Sequence, residues 1–289
     1  MEYRIFTDAT ADMNQALLPG YPELGVIPME VELGGQRWLY GPGGNITIPR
    51  FYSLQRDGQF AGTSQATPQS CLEAFEPALR LGQDILYLGF SSAMSGCVQS
   101  VHICMEELRL KYPSRKLICL DTLCASVGEG FLIREALARQ AAGASIHELA
   151  EWIIKRRLSV CHWFTVDTLD HLQRGGRISA VSASVGGMLK VKPLLHVDEN
   201  GVLKVAAKPR GRKRAMEILV KRMEDGWRPD FGKLTVIGHG DCWEEANTLR
   251  GLVSGKFPEA EIIISEIGPI IGAHTGPGML ALIYWGDNR

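Results

Sequence analysis

Short uninterrupted apolar runs alternate along this chain with longer segments in which apolar side chains recur every three or four positions. The short runs predict strands at residues 3–8, 85–90, 116–121, 163–167, 194–198, 234–238, 261–267 and 279–285, and the periodic segments between them predict helices. Such alternation is the pattern of α/β units in which helices cover a largely parallel sheet. The helix after Thr67 shows the logic: Thr67 can cap it, Pro68 suits the first helical position, and Leu72, Phe75 and Leu79 fall on one face. Two hairpin signals interrupt the regularity, Gly34-Gly35 between residues 31–33 and 38–39, and Glu199-Asn200-Gly201 between residues 194–198 and 202–206. The second half is therefore expected to be mixed rather than purely parallel. A helical run over residues 141–158, ending in Lys155-Arg156-Arg157, separates the two styles. The expectation is two α/β domains, residues 1–158 around a mostly parallel sheet and residues 159–289 around a mixed one.

At a soft prior of about 150 residues per domain, 289 residues agree with two domains, each large enough to bury its own core. Apolar residues make up 45% and charged residues 22%, which excludes collagen, coiled coil and intrinsic disorder. Lys and Arg number 31 against 32 Asp and Glu, so no global field recruits nucleic acid or an anionic membrane, and a ligand needs a local site. The seven cysteines are odd in number and include no Cys-x-x-Cys pair, which argues against a disulfide framework or a zinc site. Several, such as Cys119, read as small buried hydrophobes in a reducing cytosol. The N-terminus lacks an apolar leader, and no stretch is long and apolar enough to span a membrane, so a cytoplasmic location is expected.

Four loops carry the candidate chemistry. Residues 62–68 and 91–96 are rich in hydroxyls and each precedes a helix start, where unpaired N–H groups and partial positive charge favour an anion. Any single hydroxyl there is also explained as an ordinary helix cap. Six hydroxyl residues in two such loops shift the balance toward a ligand. The third loop, Arg174-Gly175-Gly176-Arg177-Ile178-Ser179, offers guanidinium forks beside glycines that permit close approach, or a plain glycine C-cap with solvated arginines. The fourth spans residues 268–278 and brackets His274 and Thr275 between Gly-Pro and Pro-Gly pairs.

The negative signs are equally informative. Gly128-Glu129-Gly130 lacks the third glycine of a dinucleotide fingerprint, and no P-loop sequence occurs. Acidic residues are too thinly spread among the loops for a carboxylate pair or metal cluster. An imperfect nucleophile elbow at Gly89-Phe90-Ser91-Ser92-Ala93 supports a second reading, a serine hydrolase using Ser91, Asp121 and His274. A third reading is a structural or regulatory protein with no ligand.

Taken together the loops resemble the DegV family, fatty-acid-binding proteins that act as acyl-presenting subunits of bacterial fatty acid kinase. The resemblance is carried by Thr7-Asp8-Ala9-Thr10-Ala11-Asp12, Thr63-Ser64-Gln65-Ala66-Thr67-Pro68, Ser91-Ser92-Ala93-Met94-Ser95-Gly96, Phe164-Thr165-Val166-Asp167-Thr168-Leu169, residues 174–179, Lys190-Val191-Lys192-Pro193, residues 210–215 and residues 267–278, in order over almost the whole chain. Ala66 stands where the family usually has proline, and Cys97-Val98 where it usually has Thr-Tyr.

The resemblance implies a lipid tunnel between the domains, a long-chain fatty acid as bound ligand and no cofactor. By motif, Thr63 and Ser92 would bind the carboxylate, with Ser91 competing for the second place and Ser64 and Thr275 beside them. His274 would complete the network, with Arg177 or Arg174 behind it. The implied partner is a separate ATP-dependent kinase subunit that makes acyl phosphate for phospholipid synthesis, with transient membrane contact and no nucleic acid. Lys208, Arg210, Arg212, Lys213 and Arg214 form a basic run, in which Arg210 and Arg212 are the docking candidates because guanidinium forks suit carboxylate partners.

Overall fold

The computed structural model describes residues 2–18, 20, 23–179, 190–287 and 289. In chain order the N-terminal elements are β1 (Tyr3–Asp8), β2 (Gly25–Ile27), β3 (Met29–Leu33), β4 (Gln36–Tyr40), α1 (Ile48–Arg56), β5 (Gly62–Thr63), α2 (Pro68–Arg80), β6 (Asp84–Gly89), α3 (Cys97–Lys111), β7 (Leu117–Asp121), α4 (Val127–Ala141) and α5 (Ile146–Arg156). They are followed by β8 (Val160–Thr165), α6 (Asp170–Arg174), β9 (Leu194–Val197), β10 (Leu203–Ala207), α7 (Arg212–Gly226), β11 (Leu234–His239), α8 (Trp243–Lys256), β12 (Glu261–Glu266), α9 (Pro269–Thr275) and β13 (Leu280–Trp285).

A four-stranded parallel sheet in the order β2-β1-β6-β7 builds the first α/β domain. Its central strand β6 is apolar on both faces and buried from Ile85 to Gly89, as expected of a strand covered by helices on each side. The second domain is built on a mixed sheet ordered β10-β9-β8-β13-β11-β12, in which only β11 and β12 run parallel. A small antiparallel sheet, β4-β3-β5, flanks the first domain and places Thr63 opposite Val31. Both predicted hairpins form, β3 with β4 and β9 with β10. Thr67 caps α2 and completes a reciprocal capping box with Ser70.

Alternation along β13 sorts its two faces. Leu280, Leu282 and Tyr284 pack with Met216, Leu219 and Leu249 of α7 and α8, whereas Ala281, Ile283 and Trp285 join a core that continues through Phe164 and Phe131 to Ile5 and Leu88 of the first domain. The mixed sheet therefore turns one face toward the parallel-sheet domain.

Three local expectations change. The run over residues 141–158 is not one helix: α4 ends at Ala141, Gly143 takes a left-handed φ of 95°, and Ser145 starts α5 with a capping box to Glu148. The short helix expected from Thr168 begins at Asp170. Residues 269–275, read as part of a loop, form α9, with Pro269 at its start.

Helix α9 lies between β12 and β13 of the second domain's sheet in sequence yet docks on the first domain. The Tyr52 hydroxyl donates to the Ile267 carbonyl at 2.9 Å, Gln55 Nε2 donates to the Gly272 carbonyl at 3.1 Å, and Ile270 and Ala273 pack into the core around Phe51 and Phe75. Its glycines serve this close approach: a Cβ on Gly268 would lie 2.5 Å from the Tyr40 hydroxyl, and one on Gly272 would lie 2.7 Å from Phe51. Among the cysteines, Cys71, Cys97, Cys104, Cys124 and Cys161 are buried, while Cys119 and Cys242 are only partly so.

Candidate functional site

Between the mixed sheet, α9 and the loops after β5 and β6 lies a cavity with about 980 Å³ of empty space, counting its open mouth. Its wall is mainly apolar: Phe90 and Met94, Phe164 of β8, Met279, Ala281 and Ile283 along β13, and Ile270 and Ile271 of α9. The side chains of Thr63, Gln65, Ser95, Arg177, His274 and Thr275 supply polar lining, and Ser126 and His162 add two more polar groups. Apolar walls with a few convergent polar groups are the usual make-up of a small-molecule site.

The polar groups are held by one another and by backbone. Thr63 Oγ1 lies 2.9 Å from His274 Nε2, joining the small antiparallel sheet to the last turn of α9. Arg177, in the turn after α6, donates from Nε to the Met94 carbonyl at 3.2 Å and from Nη1 to the Gly175 carbonyl at 2.5 Å, which fixes its fork beside the loop carrying Ser95. Ser95 Oγ contacts Cys97 Sγ at 3.2 Å, and Gln65 Nε2 donates to Ser100 Oγ at 3.1 Å. Gly175 has no room for a side chain, since a Cβ there would come within 2.2 Å of His274 Nδ1.

Burial, followed by the positive Arg177 and the neighbouring His171, pushes His274 down to about 4. The imidazole is therefore neutral at physiological pH. In the tautomer that carries its hydrogen on Nε2 the ring donates to Thr63, and the threonine hydroxyl is then left to donate onward. The arrangement offers a cation and hydroxyl donors to one anionic group at the polar end of an apolar chamber.

Thr63, Arg177, His274 and Thr275 thus line one cavity, and Thr275 also donates to the Ile271 carbonyl at 3.1 Å. Four other candidates lie elsewhere. Ser64 is exposed, and Ser91 is buried with its hydroxyl donated to the Gly201 carbonyl at 2.8 Å. Ser92 is exposed and donates to Asp121 Oδ2 at 2.5 Å. Arg174 stacks on Phe60, its guanidinium carbon 3.8 Å from the ring centre. The hydroxyl of the 91–96 loop that reaches the cavity is Ser95, which sits next to the start of α3, and sequence reasoning passed over it in favour of the Ser91-Ser92 pair.

Nor is a hydrolase triad assembled: Ser91 bonds Gly201, Asp121 bonds Ser92, and His274 bonds Thr63. Among the described residues, no group of three or more His, Cys, Asp or Glu side chains could hold a metal ion. Arg212 is also not a free docking group. Its side chain is 12% exposed, pairs with Glu245 at 3.1 Å and donates to the Gly278 carbonyl at 2.5 Å, so it holds the turn after α9 to α8, whereas Arg210 is exposed.

The profile of the uncharacterised DegV family matches residues 2–287. The chain belongs to the DegV family. A DegV domain-containing protein of Clostridium perfringens is 36% identical over 288 residues, covering 100% of this chain and 99% of that one. The fatty-acid-binding DegV family protein from Thermus thermophilus superposes with a TM-score of 0.86 at 28% identity, covering 99% of this chain and 100% of that one. The fatty acid kinase B3 protein of Streptococcus pneumoniae, loaded with linoleic acid, superposes with a TM-score of 0.88 at 20% identity over 99% of this chain and 100% of that one, a likeness of fold. Ala66 and Cys97 meet in this chain: the Ala66 amide, which a proline would lack, donates to Cys97 Sγ at 3.4 Å. The loops carrying Thr63 and Ser95 are joined there by a bond that the proline form could not make.

Among the described residues no helix of this DegV chain is long and apolar enough to cross a membrane.

Proposed function

We propose that this chain binds a long-chain fatty acid in the cavity, with the carboxylate among Thr63, Ser95, Arg177 and His274, and presents it to a separate ATP-dependent kinase that forms acyl phosphate. The observation that carries the reading is the cluster of Thr63, Ser95, Arg177 and His274 on a mainly apolar chamber, with Thr63 and His274 in contact at 2.9 Å. A tail of about 14 methylenes gains on the order of 10 kcal/mol from burial at roughly 0.8 kcal/mol each, before association costs. Affinity comes from the tail and orientation from the head-group cluster. The fatty-acid-binding Thermus relative supports the ligand, and the pneumococcal kinase-system protein supports the partner.

The chain is read as a carrier subunit of two domains, residues 1–158 and 159–289, rather than as an enzyme. The exposed cations Lys208, Arg210 and Lys213 are its proposed kinase contact. Reconstitution with a fatty acid kinase catalytic subunit, ATP and palmitate tests the reading, with acyl phosphate trapped as the hydroxamate. Product should require this chain and fall on Arg210→Glu, while palmitate binding by the isolated variant stays at the wild-type level. No product with any catalytic subunit that serves other family members would overturn the presenting role.

A further inference from the structure

The segment Thr7-Asp8-Ala9-Thr10-Ala11-Asp12 takes no part in the head-group cluster, yet Asp8, Asp12 and the neighbouring Glu129 are 1%, 3% and 0% exposed. Asp8 is satisfied nearby, accepting from the Thr10 amide and hydroxyl at 2.9 and 2.5 Å and from the Tyr87 hydroxyl at 2.5 Å. Glu129 accepts from the Thr7 hydroxyl at 3.2 Å, and its other oxygen lies 3.1 Å from the Thr10 hydroxyl, whose one hydrogen goes to Asp8. Asp12 differs, because both of its bonds leave the segment. Oδ1 accepts from the Gly268 amide at 2.7 Å, and Oδ2 accepts from the Ser126 hydroxyl at 2.6 Å.

Those two donors stand on different walls of the cavity. Gly268 opens α9, which contributes Ile270, Ile271, His274 and Thr275, while Ser126 lines the cavity itself just before α4. Asp12 and Ser126 have φ values of 48° and 56°, backbone that non-glycine residues hold only where their surroundings impose it. We propose that Asp12 is a positioning residue for the cavity: its ionised carboxylate, accepting from both sides, clamps α9 and Ser126 together, and protonation loosens the clamp. The proposal takes its ligand from the fatty-acid reading and its geometry from the contacts above.

An ionised carboxylate suits two donors, whereas a protonated one must place its own hydrogen between them and turn the Ser126 hydrogen aside. Bonds to an ionised acceptor are also shorter and roughly twice as strong. The groups facing Asp12 are Glu129 of α4, Tyr40 of β4 and Tyr52 of α1, with Glu266 of β12 beyond Tyr40. Burial pushes Asp12 up to about 7, against the pull of its bonds from Ser126 and Gly268, so the clamp titrates within the physiological range.

Asp12→Asn tests this, because asparagine keeps the shape, can accept from Gly268 and donate to Ser126, and does not titrate. Binding of cis-parinaric acid to the full chain is measured at pH 6 and pH 8. Wild type should bind about tenfold more tightly at pH 8, and Asp12→Asn should stay within about twofold of the wild-type pH 6 value at both. Ionisation of the probe affects both proteins alike, so the difference between them isolates Asp12. Hydrogen exchange of the Gly272–Thr275 amides in ligand-free protein, corrected for intrinsic pH effects, should show extra protection at pH 8 in wild type alone. Parallel profiles in the two proteins, or a wild-type profile flat between pH 6 and pH 8, would overturn the proposal. Failure of the probe to bind either protein would overturn the fatty-acid reading, leaving the exchange measurement to decide on Asp12.

Discussion

Replacing Thr63 by valine removes one hydroxyl from the polar end of the cavity at nearly constant volume. In the wild type that hydroxyl lies 2.9 Å from His274 Nε2 in the wall of the cavity, and the proposed function has it donate to the carboxylate. A hydrogen bond to a charged acceptor is worth roughly 1.5–3 kcal/mol, so affinity for the head group should fall about ten- to hundredfold. The variant also leaves His274 without a partner on either ring nitrogen, since Nδ1 already has none among the described residues. That costs about 1–2 kcal/mol of stability, a drop of a few degrees in Tm for a chain this size. Calorimetric titration with decanoate is the suitable assay, because a short tail leaves the head group a larger share of the binding energy. Thr63→Ser keeps the hydroxyl and should stay within about threefold of wild type. Folded Thr63→Val with wild-type decanoate affinity would show that the carboxylate lies elsewhere.

Ser95→Ala should weaken decanoate binding, while Ser92→Ala, which removes only an exposed bond to Asp121, should leave it unchanged; the reverse order in the same titration would restore the Ser91-Ser92 pair as the head-group site. His274 folds with a pKa of about 4 against 6.5 for the free side chain. Because the unfolded chain takes up the proton first, the stability present above pH 6.5 is lost as pH falls from 6.5 toward 4, by up to about 3 kcal/mol. Urea midpoints at pH 7 and pH 4.5 should therefore drop less in His274→Gln than in wild type, and equal drops would refute the assignment.

Much of the fold was legible because β1, β6 and β13 are short, mainly apolar runs whose burial both defines the strand and fixes its layer. The three residues of β2 and the two of β5 carry too little pattern to stand out, since their pairing is decided by β1 and β3. Helix α9 was hidden by its own composition. Gly268 and Gly272 read as loop residues, but they are small because Tyr40, Phe51 and Tyr52 press on the helix from a part of the chain more than 200 positions away. At the site, Thr63, Arg177 and His274 stood out from local sequence, whereas choosing among Ser91, Ser92 and Ser95 depends on which way the loop turns. The pairing of Arg212 was not legible because its partners, Glu245 and Gly278, are distant in sequence. The Asp12 contacts to Ser126 and Gly268 are equally long-range and left no local signal.

The most direct measurement is mass spectrometry of an organic extract from the natively purified chain, with protein quantified in the same sample. A mainly apolar cavity with about 980 Å³ of empty space, its open mouth included, should carry a long-chain fatty acid at roughly one per chain. Well-folded protein from a lipid-containing host that yields less than about one fatty acid per ten chains would contradict it, since tail burial of this size favours occupancy at ordinary cellular concentrations.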